Sequence, residues 1–181
     1  LHDISAGYPE VIEAASPLPW DGILDGELLA YRDGTVLPFV ALQGRLGRKA
    51  PSAAILEEVP VLYVAFDVLA IDRGGGATVT PILDEPLEER RRQLDALELP
   101  LVDAGGRFSR SNLVAADSSE SLEVAFTAAR ARRNEGLMVK DPASVYSPGR
   151  RGYGWLKMKK ALATLDCVVV GVEVGHGKRH G

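Results

Sequence analysis

The sequence predicts an α+β fold that is rich in antiparallel strands. The first observation is composition: of 181 residues, 46% are hydrophobic and 25% are charged, which is typical of an ordinary globular protein with a core. The second is that segments with strand spacing and segments with helical spacing both occur. The third is that these segments lack the regular strand–helix alternation of parallel α/β folds, which favours antiparallel pairing.

Three segments carry clear helical signals. Residues 8–15 have apolar side chains at helical spacing and are soon followed by two prolines that end the helix. Residues 86–97 are amphipathic and carry a proline at their amino-terminal end. Asp117, with Glu120 three residues later, resembles a capping box and predicts a helix that runs to about Arg133. Shorter helices are predicted at residues 38–46 and 51–58.

The strand signals begin with residues 22–32, which are followed by Asp33-Gly34, a pair favoured in hairpin turns. Residues 59–71 form the strongest predicted strand because they are rich in β-branched and aromatic side chains. Further strands are predicted at residues 112–116, 135–140, 153–160 and 166–174.

The chain reads as one domain, residues 1–160, followed by a break at residues 161–164 that begins a second unit, residues 161–181. Because the chain starts with Leu, we expect it to be a piece of a longer protein. The single cysteine, Cys167, excludes an internal disulfide and fits a reducing compartment. No apolar run reaches the ~20 residues of a membrane span. We therefore expect a cytoplasmic, monomeric protein that is not bound to a membrane.

Charge is unevenly distributed along the chain. The formal net charge is −4, yet residues 130–160 contain nine Lys and Arg against two acidic residues. A concentrated basic segment in an acidic chain is typical of a local site for a polyanion. A solvated basic face is the alternative that charge alone leaves open.

Two carboxylates and one aromatic ring are candidate site residues. Asp25 and Glu27 are two apart in a predicted strand and share a face, so they could bind a ribose hydroxyl or a divalent cation, or simply face solvent. Gly26 between them leaves room for an approach to the backbone. Phe66 shares a face with apolar neighbours on strand parity, so core packing is expected, although a ring beside a nucleotide pocket could stack on a purine.

The predicted strands at residues 135–140 and 153–160 carry the remaining candidates. Glu135 and Lys140 stand five residues apart, so ideal alternation places them on opposite faces. A bulge, or a glutamate just before the strand, would be needed for both to meet one ligand. Lys157 and Lys159 share a face with no acid nearby in sequence, an arrangement that suits a phosphate. Lysines that protect an exposed strand edge are the alternative.

Four segments in order resemble motifs III, IIIa, IV and V of the ATP-dependent DNA ligases, members of the covalent nucleotidyltransferase superfamily. They are Ile-Leu-Asp-Gly-Glu-Leu (23–28), Tyr-Val-Ala-Phe-Asp-Val-Leu (63–69), Glu-Gly-Leu-Met-Val-Lys-Asp (135–141) and Trp-Leu-Lys-Met-Lys-Lys (155–160). The resemblance implies an ATP-grasp-like nucleotidyltransferase adenylation domain over residues 1–160. Residues 165–181 are similar to the opening strand of the oligonucleotide-binding (OB) fold domain that follows in this family.

The resemblance also implies roles for individual residues. Glu27 would contact the ribose and the metal, Phe66 would stack on adenine, and Glu135 would help to hold the divalent cation, for which magnesium is the expectation. Lys157 and Lys159 would in addition support catalysis. The residues that would contact the phosphates of ATP are Lys140, Arg151, Lys157 and Lys159.

The implied chemistry is the sealing of nicks in duplex DNA. In this family a lysine in a Lys-x-Asp-Gly sequence attacks the α-phosphate of ATP, AMP passes to the 5′-phosphate at the nick, and the 3′-hydroxyl displaces it. The present sequence contains no Lys-x-Asp-Gly. We therefore expect this chain not to adenylate itself. An RNA ligase, an mRNA-capping guanylyltransferase and a non-catalytic module that binds nucleotide or DNA are the alternatives.

Overall fold

The structure, a computed structural model, describes residues 2–72, 78–132, 134–150, 152–160, 167–168 and 170–175. Two sheets and five α-helices are found in these ranges. The α-helices are α1 (Pro9–Ala15), α2 (Phe39–Gln43), α3 (Ala53–Glu58), α4 (Leu87–Ala96) and α5 (Ser119–Ala131). Short 3-10 helices lie at Ser5–Gly7 and Val102–Ala104.

The larger sheet has five strands and is built around one long central strand. The strands are β1 (Asp21–Arg32), β2 (Thr35–Val36), β3 (Val61–Asp72), β4 (Thr80–Pro81) and β5 (Phe108–Arg110). β1 pairs with β3 along its length, while β4 and β5 pair with opposite ends of the other edge of β3. All pairings are antiparallel except β3–β5. The α+β prediction with mainly antiparallel strands is therefore confirmed.

The smaller sheet is the hairpin formed by β6 (Gly136–Lys140) and β7 (Trp155–Lys159), which pair antiparallel. The segment between these strands attaches the hairpin to the rest of the molecule. Its carbonyls at Pro142 and Ser144 accept the backbone N–H groups of Glu88 and Leu87 at 3.0 and 2.9 Å. These two N–H groups belong to the first turn of α4 and have no partner within the helix, so the segment caps α4 while α4 fixes the segment.

The hydrophobic core lies between β3 and α4. Leu94 of α4 and Ala65 and Val68 of β3 are fully buried and belong to one cluster. The amphipathic pattern predicted for residues 86–97 is realised, because the apolar stripe of α4 covers the sheet. A second cluster joins α1, α2 and the start of β3 around Tyr8, Leu42 and Val61.

The predicted hairpin turn at Asp33-Gly34 is confirmed. Both residues have positive φ, 49° and 77°, which is the backbone of the turns that match the twist of two paired strands. The turn joins β1 to the short strand β2, with Tyr31 opposite Val36.

Two predicted elements differ from the structure. Residues 112–116 form no strand; the strand is β5, which begins four residues before the predicted one because it pairs in parallel with Tyr63–Ala65 of β3. The cap of α5 is Ser118 rather than Asp117, since the Ser118 hydroxyl accepts the N–H of Ser121 at 3.1 Å and the Ser121 hydroxyl accepts the N–H of Ser118 at 3.1 Å.

Part of the strand predicted near the carboxy terminus lies outside the described residues. In the strand predicted over residues 166–174, residues 166 and 169 lie outside the described residues, and the described ones there are not in a strand. The division into residues 1–160 and 161–181 stays a prediction. In the part of the chain that the structure describes, we find no helix that is long and apolar enough to cross a membrane.

Candidate functional site

Phe66 stands at a bulge in β3. Asp25 pairs with Asp67 and Gly26 pairs with Ala65, so Phe66 has no partner on β1. A bulge of this kind re-aims side chains, and strand parity no longer applies across it. Phe66 is half-buried although its strand neighbours Ala65 and Asp67 are fully buried. The expectation that Phe66 packs in the core is therefore wrong, and its ring contacts the β6–β7 hairpin.

The ring of Phe66 meets two residues of the β6–β7 hairpin. Its centroid lies 6.1 Å from that of Trp155, with the rings at 72° in an edge-to-face arrangement. The Lys140 ammonium lies 4.6 Å from the Phe66 centroid and 3.6 Å from the Trp155 centroid. Lys140 and Trp155 are direct partners in the hairpin. Three segments of the sequence thus converge on one aromatic cleft, which we define as Phe66, Lys140 and Trp155.

Lys140 is partly buried and lies near several charged side chains. Burial lowers the pKa of its ammonium to about 8, and the nearby carboxylates of Asp67 and Asp25 oppose this effect. The two ring faces also favour the charged form, because their negative π surfaces attract a cation. A cation that is partly stripped of water responds strongly to an anionic ligand, so Lys140 is well suited to contact a phosphate group.

Glu135 forms an ion-pair cluster with Lys157 and Lys159. Its carboxylate oxygen Oε2 lies 3.1 Å from Lys159 Nζ and 3.6 Å from Lys157 Nζ. Hydrogen bonding and charge from Lys159, with a smaller effect of Lys157, lower the pKa of Glu135. No acid lies near the two lysines along the sequence, but the fold brings Glu135 to both of them. The hairpin pairs Gly136 with Lys159 and thereby brings Glu135 across.

Glu135 and Lys140 therefore have different neighbours at the two ends of β6. Glu135 lies just before the strand, which is one of the two arrangements that the sequence left open. The structure explains why the first residue of the strand is a glycine: a Cβ at Gly136 would overlap the backbone carbonyl oxygen of Met158. The glycine allows β7 to approach closely enough for the glutamate to meet the lysines.

Asp25 and Glu27 differ in their surroundings. The Tyr146 hydroxyl donates a hydrogen bond to Asp25 Oδ2 at 2.6 Å. Glu27 is exposed, and its carboxylate has no hydrogen bond or ion pair within the described ranges. The space over Gly26 is filled by a side chain rather than left for a ligand, since a Cβ there would lie 2.5 Å from Cζ of Tyr63. Glu27 is thus the carboxylate that remains available to a ligand.

Two tyrosines around Asp25 stay protonated over a wide pH range. Burial, followed by the hydrogen bond to Asp25, raises the pKa of Tyr146 to about 12. Burial, followed by the charge of Asp25, raises the pKa of Tyr63 to about 12, and its hydroxyl donates to the Leu24 carbonyl at 3.1 Å. Both hydroxyls therefore act as hydrogen-bond donors at neutral pH.

A buried ion pair joins Asp67, the neighbour of Phe66 on β3, to Arg90 of α4. The Arg90 guanidinium donates to both carboxylate oxygens of Asp67 at 2.9 Å, and both side chains are fully buried. Arg90 also donates to the carbonyl oxygens of Glu85 and Ser144. The sequence analysis missed Arg90 and Tyr146. The charge of Asp67 inside an apolar strand is the signal that could have indicated a buried partner.

The remaining expectations concern residues that the structure leaves undecided. Arg151 lies outside the described residues. No group of three or more His, Cys, Asp or Glu side chains able to hold a metal occurs in the ranges that the structure describes. The metal-binding roles expected for Glu27 and Glu135 are thus not tested by the geometry.

Comparison with known proteins identifies the family. A family model of the ATP dependent DNA ligase domain matches residues 1–159. The chain belongs to the ATP-dependent DNA ligase family. The resemblance of the four motifs is thereby confirmed, and the aromatic cleft and the ion-pair cluster are built from three of these ligase motifs: IIIa, IV and V.

Curated relatives carry the same family name. Probable DNA ligases of Opitutus terrae and Koribacter versatilis are each 46% identical to the chain over 99% and 100% of its length. A DNA ligase of Archaeoglobus fulgidus is 34% identical over 99% of the chain. The chain spans 20%, 34% and 30% of these proteins, respectively.

Solved structures of DNA ligases have the same fold. The ligase domain of LigD from M. tuberculosis superposes with a TM-score of 0.62 at 25% identity, over 87% of the chain and 44% of the solved one. A mycobacterial DNA ligase D complexed with ATP and MES gives the same values. The predicted nucleotidyltransferase adenylation fold is therefore confirmed for the chain.

Proposed function

We propose that this chain forms most of the ATP-binding cleft of a DNA ligase that seals nicks in duplex DNA. The observation that carries the proposal is the convergence of Phe66, Lys140 and Trp155 from β3, β6 and β7 on one cleft. The relation to a solved ligase that was complexed with ATP supports the choice of nucleotide.

The adenine ring is assigned to the face of Phe66. Its partial exposure at the β3 bulge supports this role, because an accessible aromatic ring can stack on a base. Glu27 is assigned to the ribose, since its exposed carboxylate can accept hydrogen bonds from sugar hydroxyls.

The phosphates are assigned to the basic residues Lys140, Arg151, Lys157 and Lys159. Glu135 balances one of the two charges of Lys157 and Lys159, which leaves the cluster with a net positive charge for an anion. Catalysis of phosphoryl transfer depends mainly on positioning and charge neutralisation, so these cations support the reaction without forming bonds to phosphorus.

Glu135 and Glu27 are assigned to a divalent cation. Magnesium is bound in such sites through one or two carboxylates together with substrate phosphates, so the two glutamates fit it without a dedicated cage of protein ligands. When bound, the ion would neutralise charge on the phosphates. Glu135 would exchange its contact with Lys159 for the ion, because one carboxylate cannot fully serve both.

The chain as printed contains no Lys-x-Asp-Gly, and we propose that it binds ATP without forming a covalent adenylate. Nicked duplex DNA is the proposed substrate of the whole ligase, and a cytoplasmic monomer is its proposed form. Size-exclusion chromatography tests the last point.

The test uses the reading frame extended upstream of residue 1, with magnesium and α-phosphate-labelled ATP or GTP. We expect covalent label from ATP alone, and loss of label in Lys157→Ala and in Phe66→Ala. Label from GTP would replace the proposal with a capping guanylyltransferase, and absence of label from both nucleotides would leave a binding module.

Two matched variants make the loss specific. Lys49→Ala removes an exposed lysine between α2 and α3, and Phe39→Ala removes a phenylalanine that is 64% exposed on α2. Both are expected to keep the label. Equal loss in Lys157→Ala and Lys49→Ala would contradict the assignment of Lys157 to the phosphates.

A further inference from the structure

Tyr146 lies in the segment that joins β6 to β7 and contacts three separate parts of the fold. Its backbone N–H donates to the Leu83 carbonyl at 2.9 Å. Its hydroxyl donates to Asp25 of β1 at 2.6 Å. Its ring meets the ring of Trp155 on β7 edge to face, with 5.7 Å between centroids and 87° between planes. A half-buried residue thus links β1 to the hairpin that carries the basic residues.

The hairpin needs such a link because its two strands pair only with each other. Among the described residues, β6 and β7 form a separate two-stranded sheet with no ladder to the larger sheet. A two-stranded hairpin alone is marginally stable in water, and its place in the fold must come from contacts outside the strands. Within the described ranges, the side-chain hydrogen bond that links the joining segment to β1 runs from the Tyr146 hydroxyl to Asp25.

We propose that Tyr146 is a positioning residue, which fixes the β6–β7 hairpin to β1 through Asp25 and thereby sets the distance between Lys157, Lys159 and the cleft at Phe66. Asp25 is two residues before Glu27, so one hydrogen bond aligns both the carboxylate strand and the lysine strand. The consequence for nucleotide binding rests on the proposed function. The mechanical part, in which Tyr146 anchors the hairpin, does not.

The contact has the properties of a strong link. A hydroxyl donating to a carboxylate makes a charge-assisted hydrogen bond, and the 2.6 Å distance is in the short range expected for such bonds. Arg90 also lies near the ring, with its guanidinium carbon 5.9 Å from the Tyr146 ring centroid. The ring thus has Trp155 and Arg90 as neighbours, while the hydroxyl donates to Asp25.

The first test is hydrogen exchange on the chain as printed, without nucleotide. Tyr146→Phe keeps the ring and removes the hydroxyl. We expect the amides of β6 and β7 to exchange about tenfold faster or more, as for a lost hydrogen bond to a charged group, while the amides of β3 keep their rates. Tyr153→Phe is the matched control: Tyr153 lies in the same joining segment but is 95% exposed, and its variant should match the wild type.

Two results would overturn the proposal. One is an unchanged rate of amide exchange in β6 and β7 of the Tyr146→Phe variant. The other is equal acceleration of β3 and the hairpin, which would indicate a general contribution to stability. A second variant, Asp25→Asn, tests the partner: adding Tyr146→Phe to it should change hairpin exchange by less than twofold, because the bond is already weakened. Full additivity of the two changes would also contradict the link.

The nucleotide part is measured in the extended reading frame. Tyr146→Phe should raise the KM for ATP several-fold or lower the rate of label formation, and Tyr153→Phe should do neither. Normal labelling together with a loosened hairpin would refute the positioning role while leaving the anchor. If the wild type takes no label from ATP, the proposed function fails, yet the exchange result still decides whether Tyr146 anchors the hairpin.

Discussion

Replacing Arg90 by methionine should destabilise the protein more than any surface substitution. Among the described residues, the change leaves the fully buried Asp67 carboxylate with the Val68 N–H, at 2.9 Å, as its remaining hydrogen-bond donor. Removal of one partner from a buried ion pair typically costs about 3–5 kcal/mol. Against a total stability of about 5–15 kcal/mol, this is a large fraction. The melting temperature of a chain of this size should fall by roughly 6–20 °C.

The assay is urea unfolding followed by circular dichroism, with Arg92→Met as the control. Arg92 is on the same helix and pairs with Glu89, but its side chain is 74% exposed, so its loss should change the midpoint little. The double variant Asp67→Leu/Arg90→Met should recover much of the loss, because no charge is left buried without a partner. A midpoint for Arg90→Met equal to that of Arg92→Met would refute the reasoning.

Three further predictions concern the hairpin. Lys140 has a pKa of about 8 in the folded protein against 10.5 ordinarily, so the unfolded chain binds more protons between these values. Stability should therefore rise with pH across that window relative to Lys140→Met, as urea unfolding at several pH values would show, and a constant difference would contradict it. Gly136→Ala should cost roughly 1–3 kcal/mol in the same assay, because the new Cβ overlaps the Met158 carbonyl; an unchanged midpoint would argue against that close approach. Lys159→Ala should raise the lowered pKa of Glu135 toward its ordinary value in an NMR titration, and an unmoved pKa would place the cause elsewhere.

Elements with a strong local pattern could be predicted from the sequence. The β-branched run in β3 and the apolar stripe of α4 each decide their own conformation, and the structure has both. The turn at Asp33-Gly34 was predictable for the same reason, since few residues adopt positive φ. The four motifs located the site because their order can be read from the sequence alone.

Features that depend on distant pairing could not be predicted. β5 has three residues and owes its place to a parallel pairing with β3, about 45 residues away in sequence, so local propensity shifted it to residues 112–116. The bulge that frees Phe66 interrupts the period of two on which face assignments rest. The Tyr146–Asp25 hydrogen bond joins residues 121 apart, and neither side chain signals the other.

Asp67 affects both the stability of the core and the charged state of Lys140 in the proposed ligand site. Its carboxylate is the partner of Arg90 in the core, and it is also the largest electrostatic influence that raises the pKa of Lys140 against the effect of burial. Arg90 acts on Lys140 in the opposite direction. Arg90 therefore offsets part of the attraction of Asp67 for Lys140, which leaves the lysine better able to respond to an anion in the cleft. A charge pair that could be replaced by apolar residues for stability alone has, in this position, a reason to be kept.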